Sequence, residues 1–101
     1  MKGLRPGFEA LPRVRIHTRT TSSSGAQRED RFDAIALADA LDHPARSRVT
    51  VRARDGAALA FRAQEAQDAF LVPIEGGWQL IYARDATRQR RIKHPESFEA
   101  E

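Results

Sequence analysis

"DRFDAIALADALDHP", Asp30–Pro44, is the stretch on which the fold turns. Phe32, Ile35, Ala38 and Leu41 recur at every third position, with Leu37 beside them, so they share one face of a helix. Asp30 supplies a carboxylate able to accept the free amide hydrogens of a first turn. Asp33 adds negative charge near the positive end of the helix dipole. Pro44 closes the segment, because the residue before a proline is pushed out of the helical region. The stretch is therefore expected to be the main helix.

On its N-terminal side, "RVRIHTRTT", 13–21, alternates like a strand. Val14, Ile16, Thr18 and Thr20 fall on one face, and Arg13, Arg15, His17, Arg19 and Thr21 on the other. "SSSGAQ", 22–27, reads as a loop. Residues 1–12, with Gly3, Pro6, Gly7 and Pro12, read as an irregular arm anchored by Leu4, Phe8 and Leu11.

On the C-terminal side, Val49 and Val51 alternate with arginines and lead to Asp55-Gly56, a hairpin signal. A two-residue turn would put Arg52 opposite Leu59 and mix charge with the apolar face. A three-residue turn, Arg54-Asp55-Gly56, sets Val51 opposite Leu59 and Val49 opposite Phe61, and is the reading adopted, since a slip of one residue flips every side chain. "QEAQD", 64–68, is a polar connection with room for one helical turn. "FLVPIE" and "WQLIYAR" flank Gly76-Gly77 as a second hairpin, with Pro73 marking an edge or a bulge. "DATRQRRIKHP" reads as a short helix begun by Asp85 and stopped by Pro95, followed by a frayed acidic tail, 95–101. The expected fold is α+β: an antiparallel-rich sheet of about five strands, one main helix packed on one face, and a short C-terminal helix. The 101 residues form a single domain in this reading.

Composition narrows the chemistry. The chain has no cysteine, which removes disulfides, thiolate nucleophiles and zinc–thiolate sites. No apolar run approaches the roughly 20 residues of a membrane span, and the N-terminus lacks a signal-peptide core, so a cytoplasmic protein is expected. Seventeen Lys+Arg face fourteen Asp+Glu, and only Lys2 and Lys93 are lysine, so the positive charge is almost all arginine. Charge alternates in short blocks, which argues against a polyelectrolyte tail.

The sharpest functional feature is arginine at alternate strand positions. Arg13, Arg15 and Arg19, with His17, share one face of the first strand, and Arg48, Arg52, Arg54 and Arg62 share one face of the hairpin. With the helix on the apolar face, these side chains would line the open face, where guanidinium groups bind phosphates through paired hydrogen bonds. A binding or accessory module contacting an anionic partner, with nucleic acid as one candidate, is the primary expectation. A protein-interaction or assembly subunit, homodimers included, is the alternative, through the proline-bearing strand "FLVPIE" and the arm residues Leu4, Phe8 and Leu11. His17, His43 and His94 show no short metal-ligand spacing, two of them read as helix exits beside prolines, and no cofactor or metal is expected.

The basic stretch "LIYARDATRQRR", residues 80–91, resembles the strand-to-helix end of RelE-superfamily toxin ribonucleases, particularly the BrnT-like branch. The resemblance implies a small α+β protein that cleaves RNA and pairs with an antitoxin. It makes Tyr82, Arg84 and Arg88 candidate catalytic or RNA-contacting residues.

Overall fold

The computed structural model describes residues 1–84 and 90–101, and it is built of strands. Eight are present among them: β1 (Val14–Thr21), β2 (Gln27–Ala36), β3 (Arg48–Ala53), β4 (Ala58–Arg62), β5 (Ala69–Ile74), β6 (Gly77–Tyr82), β7 (Arg91–Lys93) and β8 (Pro95–Ala100). Two single-turn helices, α1 (Leu37–Ala40) and α2 (Ala63–Ala66), join β2 to β3 and β4 to β5. The strands form two antiparallel sheets, ordered β1-β2-β5-β6-β7 and β4-β3-β8.

The expected main helix is therefore corrected to a strand. Of the stretch Asp30–Leu41, residues through Ala36 belong to β2, and only Leu37–Ala40 coil, closed by the Leu41 N–H on the Leu37 carbonyl at 3.0 Å. The pairing with β1 explains why. Ile16 lies opposite Phe32 and Val14 opposite Ala34, while Arg15 lies opposite Asp33 and Arg19 opposite Glu29. At these four positions apolar residues meet apolar ones and arginines meet carboxylates, and such cross-strand pairs are the unit of sheet stabilisation. Asp30 and Asp33, read above as a cap and a dipole charge, are strand residues that face cations.

The β1–β2 and β3–β4 hairpins close through the same turn. The Ser22 N–H donates to the Ala26 carbonyl and the Gly25 N–H to the Ser22 carbonyl, with Gly25 at φ 85°. The Ala53 N–H donates to the Ala57 carbonyl and the Gly56 N–H to the Ala53 carbonyl, with Gly56 at φ 92°. Each is a three-residue loop ending in a left-handed glycine. Val49 therefore pairs with Phe61 and Val51 with Leu59, as the alternation requires.

The core lies between the two sheets. Val49, Val51, Phe61 and Phe98 from one pack with Ile35, Leu71, Leu80 and Ile92 from the other, and the N-terminal arm adds Leu4 and Phe8. The opposite face of the larger sheet carries a smaller cluster of Ile16, Ala34, Val72 and Ile81. β5 and β6 are thus buried on both faces, which is why they read as unbroken apolar runs. Pro73 pairs with Trp78 on β6 but lies beyond the two-residue β2–β5 ladder at Ile35–Leu71 and Ala36–Phe70, so no bond on that side needs its missing N–H.

The C-terminal helix is also corrected. Residues 85–89, which include its expected start at Asp85, lie outside the described residues, but Arg91–Lys93 form β7 against β6. The 95–101 segment is not frayed: β8 pairs with β3 from Pro95 to Ala100, placing Phe98 opposite Val51 in the core. Its carboxylates stay at the surface while Pro95 and Phe98 turn inward.

The arm is fixed along β8, where the Lys2 N–H donates to the Glu96 carbonyl and the Phe98 N–H to the Lys2 carbonyl, both at 2.8 Å. Gly3, at φ 88°, passes so close to the Phe98 carbonyl that a Cβ would overlap it, whereas Gly7, at φ 77°, faces open space. Gly7→Ala should therefore cost only the left-handed penalty of about 1–2 kcal/mol, and Gly3→Ala distinctly more. Urea unfolding of the two variants measures the difference; equal losses would show that the arm yields at Gly3.

Candidate anion-binding cleft

Two sheets that share a core must be connected, and His94 makes one of the connections. Its N–H donates to the Trp78 carbonyl of β6 at 2.9 Å, and its own carbonyl accepts the Arg54 N–H from the β3–β4 turn at 3.2 Å. Held from both sheets, the residue adopts φ 52°, and among the described residues it alone of the non-glycines has a positive φ. Such conformations cost free energy and persist where the surroundings enforce them. The imidazole lies against the β5–β6 turn: a Cβ on Gly77 would come within 3.1 Å of Nδ1. The reading of His94 as a helix exit is therefore corrected to a sheet crossover.

Beside this crossover lies a cleft of about 440 Å³, lined by Arg54, Asp55, Lys93 and His94. Its one carboxylate is already engaged, because Asp55 Oδ1 accepts the Ala57 N–H at 2.9 Å within the turn. Arg54 is held loosely, with Nε 3.8 Å from Glu96 Oε1 and both side chains more than half exposed. Lys93 makes no ion pair among the described residues. Two permanent cations and an imidazole thus belong to the residues that border one cavity.

The other predicted arginines do not converge. Those of β1 and those of β3–β4 belong to different sheets, so the single open face expected for them does not exist. Along β1 the basic side chains meet carboxylates of β2: Arg15 Nε to Asp33 Oδ1 at 3.1 Å, Arg19 Nη2 to Glu29 Oε1 at 2.8 Å, and the His17 imidazole Nε2 to Glu29 Oε2 at 3.5 Å. The Arg19 guanidinium, through its hydrogen bonds and charge, holds the Glu29 carboxyl below its ordinary value, with a smaller contribution from His17. Arg13 instead lies over the Trp78 ring at 5.3 Å and donates to the Glu9 carbonyl. Arg48 pairs with Glu101 at 3.0 Å and stands opposite Arg62. Arg52 and Arg62 make no ion pair among the described residues. Of the eight predicted binding residues, only Arg54 borders the cleft; Lys93 and His94 were missed, because the segment carrying them was read as helix.

The residues implied by the ribonuclease resemblance fall elsewhere. Tyr82 ends β6 half-buried, and Arg84 Nε pairs with Asp68 Oδ2 at 2.9 Å. Both line a polar groove of about 390 Å³ with Gln64, Glu65, Gln67 and Asp68. Arg88 lies outside the described residues. Among the described residues no group of three or more histidine or acidic side chains could hold a metal, and no helix is long and apolar enough to cross a membrane. No protein-family model, curated protein or solved structure matches the chain.

Next to this groove, Arg90 ties β4, α2 and β6 together. Its guanidinium donates to Glu65 Oε2 at 2.7 Å and to the Ala60 carbonyl at 2.9 Å, and lies 4.5 Å from the ring centres of both Phe61 and Tyr82. The Arg90 hydrogen bond, aided by the Arg62 backbone N–H, lowers the Glu65 pKa from 4.5 to about 2. A carboxyl lowered in the folded state stabilises the fold above its unfolded pKa and loses that contribution as pH falls through the folded value. Glu65→Gln should therefore be less stable than the parent protein at pH 7, with the gap closing as pH falls from 4.5 to about 2. Urea midpoints measured across that range check this; a gap independent of pH would show that charge at Glu65 is not what the site uses.

Proposed function

We propose that the protein is a small non-enzymatic binding module that holds a phosphate group of an anionic partner in the Arg54–Lys93–His94 cleft. One observation carries this reading: the β3–β4 turn and the β7–β8 crossover bring two permanent cations and an imidazole to one cavity, and its only carboxylate is bound within its own turn. Along β1 and at the start of β3, Arg15, Arg19 and Arg48 already have carboxylate partners. At the crossover, Lys93 and the loosely held Arg54 border the same cavity.

The phosphate source proposed is a nucleic-acid backbone. Neither the cleft nor its rim offers the row of exposed aromatic rings on which single-stranded bases stack, which favours contact with the backbone of a duplex. A guanidinium supplies paired donors to phosphate oxygens, and an ammonium adds a point charge. Salt-titrated binding of a labelled duplex oligonucleotide tests the proposal. Affinity should fall steeply between about 50 and 200 mM salt. Arg54→Ala and Lys93→Ala should each weaken binding and reduce the log–log salt slope by about one, while Arg84→Ala leaves both unchanged. Absence of binding at about 50 mM salt, or loss of binding in Arg84→Ala alone, would sink it.

A further inference from the structure

The first strand has one paired edge and one open edge. β1 pairs with β2 through all of its residues, Val14 to Thr21, in an unbroken register, and it stands at the end of the sheet order. Among the described residues no strand lies on its other side. The turn shows which main-chain groups face that side. Ser22 and Ala26 are a hydrogen-bonded pair, and bonded and non-bonded pairs alternate along an antiparallel ladder. Val14, Ile16, Thr18 and Thr20 therefore bond to β2, and Arg15, His17 and Arg19 direct their N–H and C=O groups to the open edge.

Those same three residues carry the basic side chains of the exposed face. Main-chain bonding capacity and positive charge thus coincide, residue by residue. An incoming strand bonded to the backbone of Arg15, His17 and Arg19 would place its own alternate side chains directly across from theirs, on the same face. The present partners leave room for this. Arg15 engages Asp33 through Nε alone, and the β1–β2 ion pairs are solvent-exposed, so they share or exchange carboxylates at little cost. The opposite face of the strand is closed, with Ile16, Thr18 and Thr20 buried, which fixes its register and presentation.

The edge also discriminates among occupants. Val14–Thr21 contains no proline, lysine or bulge, the usual means of blunting an edge. Its protection is arginine. A second copy paired antiparallel about His17 would set Arg15 against the copy's Arg19, cation on cation, whereas an acidic strand meets a guanidinium at Arg15 and at Arg19, with the His17 imidazole between them.

We propose that β1 is a docking edge for an extended acidic segment of a partner protein, which adds as a further strand with Asp or Glu facing Arg15, His17 and Arg19. The site is separate from the cleft and does not rest on it.

Amide hydrogen exchange on the whole protein tests this, with a capped seven-residue peptide alternating threonine and glutamate as the probe. In the free protein the Arg15, His17 and Arg19 amides should exchange fast while Ile16 and Thr18 are protected. Peptide at ten times its Kd should slow the first three about tenfold. The Arg15→Glu, Arg19→Glu double variant should lose that effect while its Ile16 and Thr18 amides stay protected, showing an intact hairpin. Arg54→Ala should leave it unchanged, separating this edge from the cleft. Three results would overturn the proposal: the three amides already protected without peptide, no slowing on peptide addition, or equal slowing by a peptide with lysine in place of glutamate.

Discussion

β5 and β6 are apolar on both faces. Leu71 and Leu80 point to one side and Val72 and Ile81 to the other, and all four are buried. A sheet of that kind needs cover on each face, since its apolar surface is otherwise left in water. One face is covered by β3, β4 and β8, which supply Val49, Val51, Phe61 and Phe98. On the other, the β1–β2 hairpin contributes Ile16 and Ala34, and Arg91 of β7 lies 6.0 Å from the Phe32 ring of β2. The remaining features follow from meeting both demands with so short a chain. The long hairpin must be strand rather than helix, because it continues the sheet it helps to bury. The chain must also change sheets between β7 and β8, and His94 takes a left-handed conformation to do so.

What the sequence disclosed and what it concealed divide along the same line. The β3–β4 register was legible because a glycine turn and strict alternation agree on one pairing. Leu4, Phe8 and Leu11 were legible as anchors because they are large apolar residues in a proline-bearing arm, and Leu4 and Phe8 join the core with Leu11 packed against it. Asp30–Leu41 was misleading because its apolar residues fit a helical face as well as an alternate one, and local periodicity does not show which tertiary partner competes. A signal did exist: Glu29 and Asp33 stand at the spacing of Arg19 and Arg15, mirrored about the Ser22–Ala26 turn. The Arg54–Lys93–His94 cleft left no local mark. Arg54 is far in the chain from Lys93 and His94, and the two segments meet at the crossover between β7 and β8.

Charge is distributed by the same geometry. The chain carries a formal net charge of +3, but its arginines are not equivalent. Those on β1 face carboxylates across the hairpin, Arg13 lies on an aromatic ring, and Arg90 is held by Glu65 between two more rings. A tally of basic residues therefore overstates the positive surface. The distinction that matters is between cations that have a partner by register and those, like Lys93, placed at a junction where the register ends.

The twin glycine turns bear on how the chain reaches this state. Each of the two long hairpins has its strands joined by only three residues, so each closes a small loop at little entropic cost and zips on a timescale of about microseconds. The β3–β8 ladder is different, since Val51 must find Phe98 across almost half the chain. Folding speed falls as contacts become more distant in sequence. Hairpin formation therefore comes early, and the arrival of β8 beside β3, which brings the second sheet to its full width, is the slow event.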